Sequence, residues 1–170
     1  RWINRWNRIV RTWRMLAHIS GDTAVTNILV VDDSPSDRMI AGTILQRDRD
    51  VTVTYASDGA EAILQIQSQL PDVVLTDLQM PELDGLQLVA CIKQSYPLLP
   101  VVLMTAQGSE TIASEALRLG AASYVPKTLL TRQLRDVVSR IVASAKADRG
   151  HSRLMHSLEH SQSRFVLQND

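Results

Sequence analysis

Five short apolar runs punctuate the middle of the chain: NILVV (27–31), VTVTY (51–55), DVVLT (72–76), PVVLM (100–104) and ASYV (122–125). Runs of this length, rich in β-branched residues and bounded by polar or turn-forming ones, predict strands. Between them apolar positions recur every three or four residues, which predicts helices over 35–47, 58–68, about 86–95 and about 109–119. A fifth begins near Leu129. The first helix has a clear start: Ser34 as N-cap, Pro35 at the first helical position and Asp37 in the first turn. Strand and helix alternate five times, so the fold class is α/β, a parallel sheet with right-handed crossovers and helices on both faces. The near-continuous apolar strands fit a sheet covered on both sides.

Length allows one ordinary domain plus extensions, 170 residues in all. Aromatics make up only 4% of the chain, so aliphatic side chains must build the core. The single cysteine, Cys91, excludes an intramolecular disulfide framework and suits a reducing, cytoplasmic setting. Cys91 lies in an apolar helical stretch and is expected in the core. No apolar run approaches the roughly 18 residues of a membrane helix. The arginine-bearing N-terminus has no uninterrupted apolar segment of a secretory signal.

A net charge of zero hides a segregation. Residues 1–26 carry five Arg and one Asp; residues 27–128 carry six Lys/Arg and thirteen Asp/Glu; residues 129–170 carry seven Lys/Arg and four Asp/Glu. An acidic middle between basic ends points to modular construction. The expected division is an N-terminal extension over 1–26, a domain over 27–146 and a helical linker over 147–170.

The acids of the middle gather at strand ends, and ligands of open parallel sheets bind beyond the carboxyl ends of the strands. The first strand ends in Asp32 and Asp33, the third in Asp77 and the fourth in Thr105; the fifth leads to Lys127. The second leads to a turn at Asp58-Gly59. Three carboxylates brought together repel one another, and a bound cation relieves the repulsion. All-oxygen ligands suit Mg²⁺ or Mn²⁺ rather than zinc. Mg²⁺ takes one or two carboxylates and shares itself with phosphate, leaving one aspartate as a nucleophile able to form an aspartyl-phosphate. Phosphoryl transfer needs charge neutralisation and positioning above all. Lys127 offers positive charge and Thr105 a hydroxyl.

ILVVDDS, TDLQMPELDG, VVLMTA and SYVPK occur in this order at these strand ends. Together they make residues 27–146 resemble the receiver domain of bacterial two-component response regulators. The resemblance implies a flavodoxin-like (βα)5 sandwich with strand order 2-1-3-4-5. It implies Asp77 as phosphoacceptor, Asp33 as a direct Mg²⁺ ligand and Asp32 as a direct or water-mediated one. The backbone carbonyl of Gln79 would be a further ligand. Thr105 and Lys127 would sense the phosphoryl group, Tyr124 would be the switch aromatic, and Ala106 would leave the site accessible. One departure stands out: many receivers carry proline directly after the lysine, whereas here Thr128 follows Lys127 and Pro126 precedes it.

The function so implied is a phosphorylation-controlled switch, not an enzyme beyond its own phosphorylation and dephosphorylation. The donor would be a sensor histidine kinase or a phosphotransfer protein. Output would pass through a homodimer on the fourth and fifth strand–helix face, a partner, or an output domain. Two alternatives compete. A Mg²⁺-dependent phosphohydrolase with an aspartate nucleophile usually places a second acid two residues on, where this chain has Gln79. A pseudo-receiver serving only as a docking module is opposed by the intact Asp33, Asp77, Thr105 and Lys127.

The extensions say less. Trp2, Trp6, Ile9, Trp13 and Leu16 recur at three- and four-residue spacing beside Arg1, Arg5, Arg8, Arg11 and Arg14. Such a pattern suits a membrane surface or a partner, with contact by residues 1–20. The favoured reading is a plain tail or carried-over upstream sequence. His151, His156 and His160 read as solvated residues of a linker. Leu154, Leu158 and Phe165 continue a helical stripe, and the junction is similar to receivers fused to an ATPase-like output module. No DNA-reading module is visible.

Overall fold

A computed structural model describes residues 25–106 and 110–147. The expectations for the two extensions fall outside these residues. Strand and helix alternate as β1 (Thr26–Val31), α1 (Pro35–Leu45), β2 (Val51–Ala56), α2 (Gly59–Ser68), β3 (Val73–Asp77), α3 (Gly85–Ser95), β4 (Val101–Thr105), α4 (Glu110–Arg118) and β5 (Ser123–Pro126). A 3₁₀ turn over Lys127–Leu129 then runs into α5, residues 130–147. The strands form one parallel sheet in the order β2-β1-β3-β4-β5, as the resemblance implied.

Side chains alternate across the sheet and feed two apolar layers. On one face Leu29, Val31, Val74 and Leu103 pack with Ala62, Ile66, Leu88, Ile92 and Ala116, from α2, α3 and α4. On the other, Ile28, Val30, Leu75, Val102 and Met104 pack with Ala41 and Ile44 of α1 and Leu134 and Val138 of α5. β3 and β4 are buried along their whole length, while the edge strand β2 is partly exposed. An apolar sheet closed on both faces gives a rigid platform, and its rigidity passes to whatever stands at the strand ends.

The helices that follow β1, β2 and β3 start with side-chain caps near that platform's carboxyl edge. Ser34 Oγ accepts from the Asp37 backbone N–H and Asp58 Oδ1 from that of Glu61. Asp84 and Gln87 exchange bonds of 2.8 and 3.0 Å in a reciprocal capping box. At Gly85 the chain passes so close to the end of β3 that a Cβ would stand 2.1 Å from the Asp77 carbonyl oxygen. Only glycine fits there.

β3 and β4 end on Asp77 and Thr105, as expected, opposite Met104 and Pro126. Backbone pairing continues past the last apolar side chain because the ladder uses only N–H and C=O groups. Cys91, expected in the core, is exposed. The buried stripe of α3 is Gly85, Leu88, Val89 and Ile92. Cys91 stands off it, at the rim of a cavity of about 230 Å³ between α2 and α3. Among the described residues no helix is long and apolar enough to cross a membrane.

Candidate functional site

Asp32 follows β1 directly, and its side chain is wholly buried. Its Oδ1 accepts from the Ser34 backbone N–H at 2.8 Å, and its carbonyl accepts from Arg38 of α1. Asp33, the next residue, is exposed. Asp77 ends the central strand β3 at 5% exposure. One carboxylate oxygen from each of Asp32, Asp33 and Asp77 lies within 4.8 Å of the others. The three acids read from the sequence as a cluster therefore form one.

Lys127 reaches across from the end of β5. Its Nζ is 2.8 Å from Asp32 Oδ2, 3.2 Å from Asp77 Oδ1 and 2.7 Å from Asp37 Oδ2. Placing the proline before the lysine does not prevent this reach: Pro126 is extended, and Lys127 opens the following turn. Thr105, buried at the end of β4, lies one residue beyond Met104, the partner of Asp77, and pairs with Pro126 beside Lys127. Gln79, two residues past Asp77, is exposed between the buried Leu78 and Met80. Tyr124 is half-buried on β5, opposite Leu103, and packs against the core layer that includes α4.

The electrostatics match this crowding. Burial pushes the Asp77 carboxyl above its usual range; the charge of Asp32 adds to the rise and the ammonium of Lys127 opposes it. Burial alone would lower the pKa of Lys127. Its contacts with Asp32 and Asp37, together with the charge of Asp77, outweigh burial and hold the ammonium above the ordinary lysine range. Asp32 Oδ2 meets that ammonium at 2.8 Å in a buried ion pair. The donor set is all oxygen, and one ammonium cannot balance the acids around it. These residues fit a hard divalent cation of the Mg²⁺ or Mn²⁺ kind.

Asp37 is the residue that sequence reasoning missed. Its position in the first turn of α1 reads as an ordinary favourable contact with the helix dipole. Nothing in the local pattern reveals that Lys127, ninety positions away, returns to it.

Comparison with known proteins agrees with the geometry. The chain is 42% identical over 111 residues to a protein-glutamate methylesterase/protein-glutamine glutaminase of Rhodopseudomonas palustris, covering 62% of this chain and 30% of the relative. It is 37% identical over 116 residues to the DNA-binding transcriptional regulator NtrC of Escherichia coli, covering 68% of this chain and 24% of that one. The chain thus spans a third or less of these curated relatives. Among solved structures, the signal receiver domain of the putative response regulator NarL from Mycobacterium tuberculosis superposes with a TM-score of 0.61 at 35% identity, covering 71% of this chain and 96% of that one. NtrX from Brucella abortus does so at 0.72 and 32%, covering 76% of this chain and 29% of NtrX. Residues 28–139 match the response regulator receiver domain, and with the sheet order and the acidic strand ends in place, the chain belongs to that family, whose members are phosphorylation-controlled signalling switches.

Proposed function

We propose that Asp77 is the phosphoacceptor of this receiver domain. A carboxylate oxygen of Asp77 attacks the phosphorus of a phosphohistidine on a sensor kinase or phosphotransfer protein, and the phosphorus–nitrogen bond breaks as the acyl phosphate forms. The observation that supports this most is the position of Asp77: it ends a fully buried central strand, beside two further carboxylates and 3.2 Å from an ammonium. Such rigidity holds a nucleophile in line, and phosphoryl transfer depends chiefly on positioning and charge.

Asp32, Asp33 and Asp77, with the Gln79 carbonyl, would hold Mg²⁺, which supplies positive charge for the incoming phosphoryl oxygens; Mn²⁺ could replace it. Lys127 contributes the second cationic group. Thr105, buried at the end of the neighbouring strand, offers its hydroxyl to the phosphoryl group. Phosphorylation adds negative charge and strong acceptors, and a displacement of Thr105 with a reorientation of half-buried Tyr124 would carry the signal to α4, β5 and α5. On that face Leu117 of α4 is 50% exposed, an apolar contact for a second copy or an output partner.

Intact-protein mass after incubation with acetyl phosphate and Mg²⁺ tests this reading. Wild type should gain one phosphoryl group, EDTA should prevent the gain, and Asp77→Asn should show none. An adduct of equal yield on Asp77→Asn would move the acceptor elsewhere. No adduct with any metal would return the chain to the docking-module reading.

A further inference from the structure

The Lys127 ammonium makes one contact that phosphoryl transfer does not require. Besides Asp32 and Asp77 it donates to Asp37 Oδ2 at 2.7 Å, the shortest of its three carboxylate contacts. The Asp37 side chain is 35% exposed, against none for Asp32. Asp37 is not one of the three acids that can close on one ion. It stands at the solvent rim, on α1, where keeping a charge costs little desolvation.

Two demands meet on the same carboxylates. Asp32 Oδ2 and Asp77 Oδ1 both face the ammonium, and both residues belong to the cation cluster. An ammonium held by these two alone would compete with a divalent cation for each of them. Asp37 gives it an anchor outside the cation set.

We propose that Asp37 is a positioning residue: it anchors Lys127 on the α1 side, so that Asp32 and Asp77 can turn to a divalent cation while the ammonium stays in the site. The inference rests on Asp32, Asp33 and Asp77 being the cation cluster. Without Asp37 the ammonium settles on Asp32 and Asp77, and the cation binds more weakly. Loss of one negative charge also weakens binding through space, so the two effects must be separated. A double-mutant cycle with Lys127 does this.

The measurement is calorimetric titration of the 170-residue chain with Mg²⁺ at constant ionic strength, supported by the Mg²⁺ dependence of the thermal midpoint. Asp37→Asn should raise the Kd about three- to tenfold, the range of coupled neighbouring groups. Asp37→Glu should restore most of the affinity, since a longer carboxylate still reaches the ammonium. In a Lys127→Met background, Asp37→Asn should change the Kd by less than about twofold, as expected of a screened rim charge. The same factor in both backgrounds would overturn the anchoring role in favour of simple charge. An unchanged Kd in the single variant would overturn it outright. Should Lys127→Met not fold, equal weakening by Asp37→Asn and Asp37→Glu overturns it as well. A wild type that binds no Mg²⁺ removes the cation cluster itself, an outcome separate from these.

Discussion

Lys93 and Lys127 sit at opposite edges of the same five-stranded sheet, and the protein treats their charges differently. Lys93, near the end of α3, donates to the carbonyls of Leu99 at 2.7 Å and Pro97 at 3.2 Å, in the turn that leads into β4. Its partners are neutral, and burial pulls its pKa below the ordinary value. Lys127 meets three carboxylates and is held above it. At the amino edge of the sheet, the one Lys93 occupies, Asp72 accepts from a neutral group, the Asn27 backbone N–H, at 2.9 Å. At the carboxyl edge acids outnumber bases: Asp32, Asp37 and Asp77 share the ammonium of Lys127, and Asp33 lies beside them. A purely structural edge avoids such an excess, whereas the proposed binding of a cation would call for it.

The strongest way to break this contrast is to remove the ammonium. In EDTA, Lys127→Met leaves buried Asp32 and Asp77 facing each other without a counter-charge. Loss of one partner from a buried ion pair costs about 3 kcal/mol. The variant's urea midpoint should fall accordingly, and saturating Mg²⁺ should recover most of the loss. A midpoint unchanged in EDTA would mean that the acids do not depend on Lys127, and the two edges would no longer differ in kind.

A glycine at each edge sharpens the contrast with a smaller effect. Gly85→Ala drives a methyl group against the Asp77 carbonyl oxygen and the Cα of Leu78, both backbone atoms that cannot swing aside. Overpacking of this sort costs about 2 kcal/mol. Because the obstacle is Asp77 itself, phosphorylation by acetyl phosphate should slow as well. Gly120, in the turn before β5, has a φ of +98°, and a Cβ there would meet only the flexible Lys93 side chain, at 3.2 Å. Gly120→Ala should cost about 1 kcal/mol through its backbone conformation and leave the phosphorylation rate unchanged. Equal slowing by both variants would mean that the rate follows stability rather than the position of Asp77.

The fold was legible because its signals are local and repeated. The apolar runs located all five strands, and Ser34 with Pro35 located the start of α1. Asp32, Asp33, Asp77 and Lys127 could be found because strand ends in a parallel sheet share one edge, so strand order converts sequence position into proximity. Where that conversion does not apply, the reading missed. Asp37 lies within a helix, and its partner is set by how far a lysine side chain reaches from the end of β5. Cys91 failed differently: an apolar stretch does not show which of its members face the sheet, and the stripe through Leu88, Val89 and Ile92 leaves Cys91 outside.

The smallest expected effect tests the two lysines together through pH. Lys93 holds its proton less firmly in the folded protein than in the unfolded chain, because burial lowers its pKa from 10.5. In the interval just below that value the unfolded state binds more protons, so stability rises with pH. Lys127 has the opposite sign: its contribution is fully present below the unfolded lysine value and is lost as pH rises from there through its raised folded value. Urea midpoints of wild type, Lys93→Met and Lys127→Met in EDTA, taken from pH 7 to about 10, separate the two, because titrating groups remote from both lysines cancel in the differences and the carboxyls beside Lys127 titrate at lower pH. Wild type should gain on Lys93→Met as pH approaches 10, while its margin over Lys127→Met stays level. If both margins stayed level, protonation of Lys93 would carry no cost. The amino edge would then accommodate a charge as readily as the carboxyl edge, and the asymmetry would rest on the acids alone.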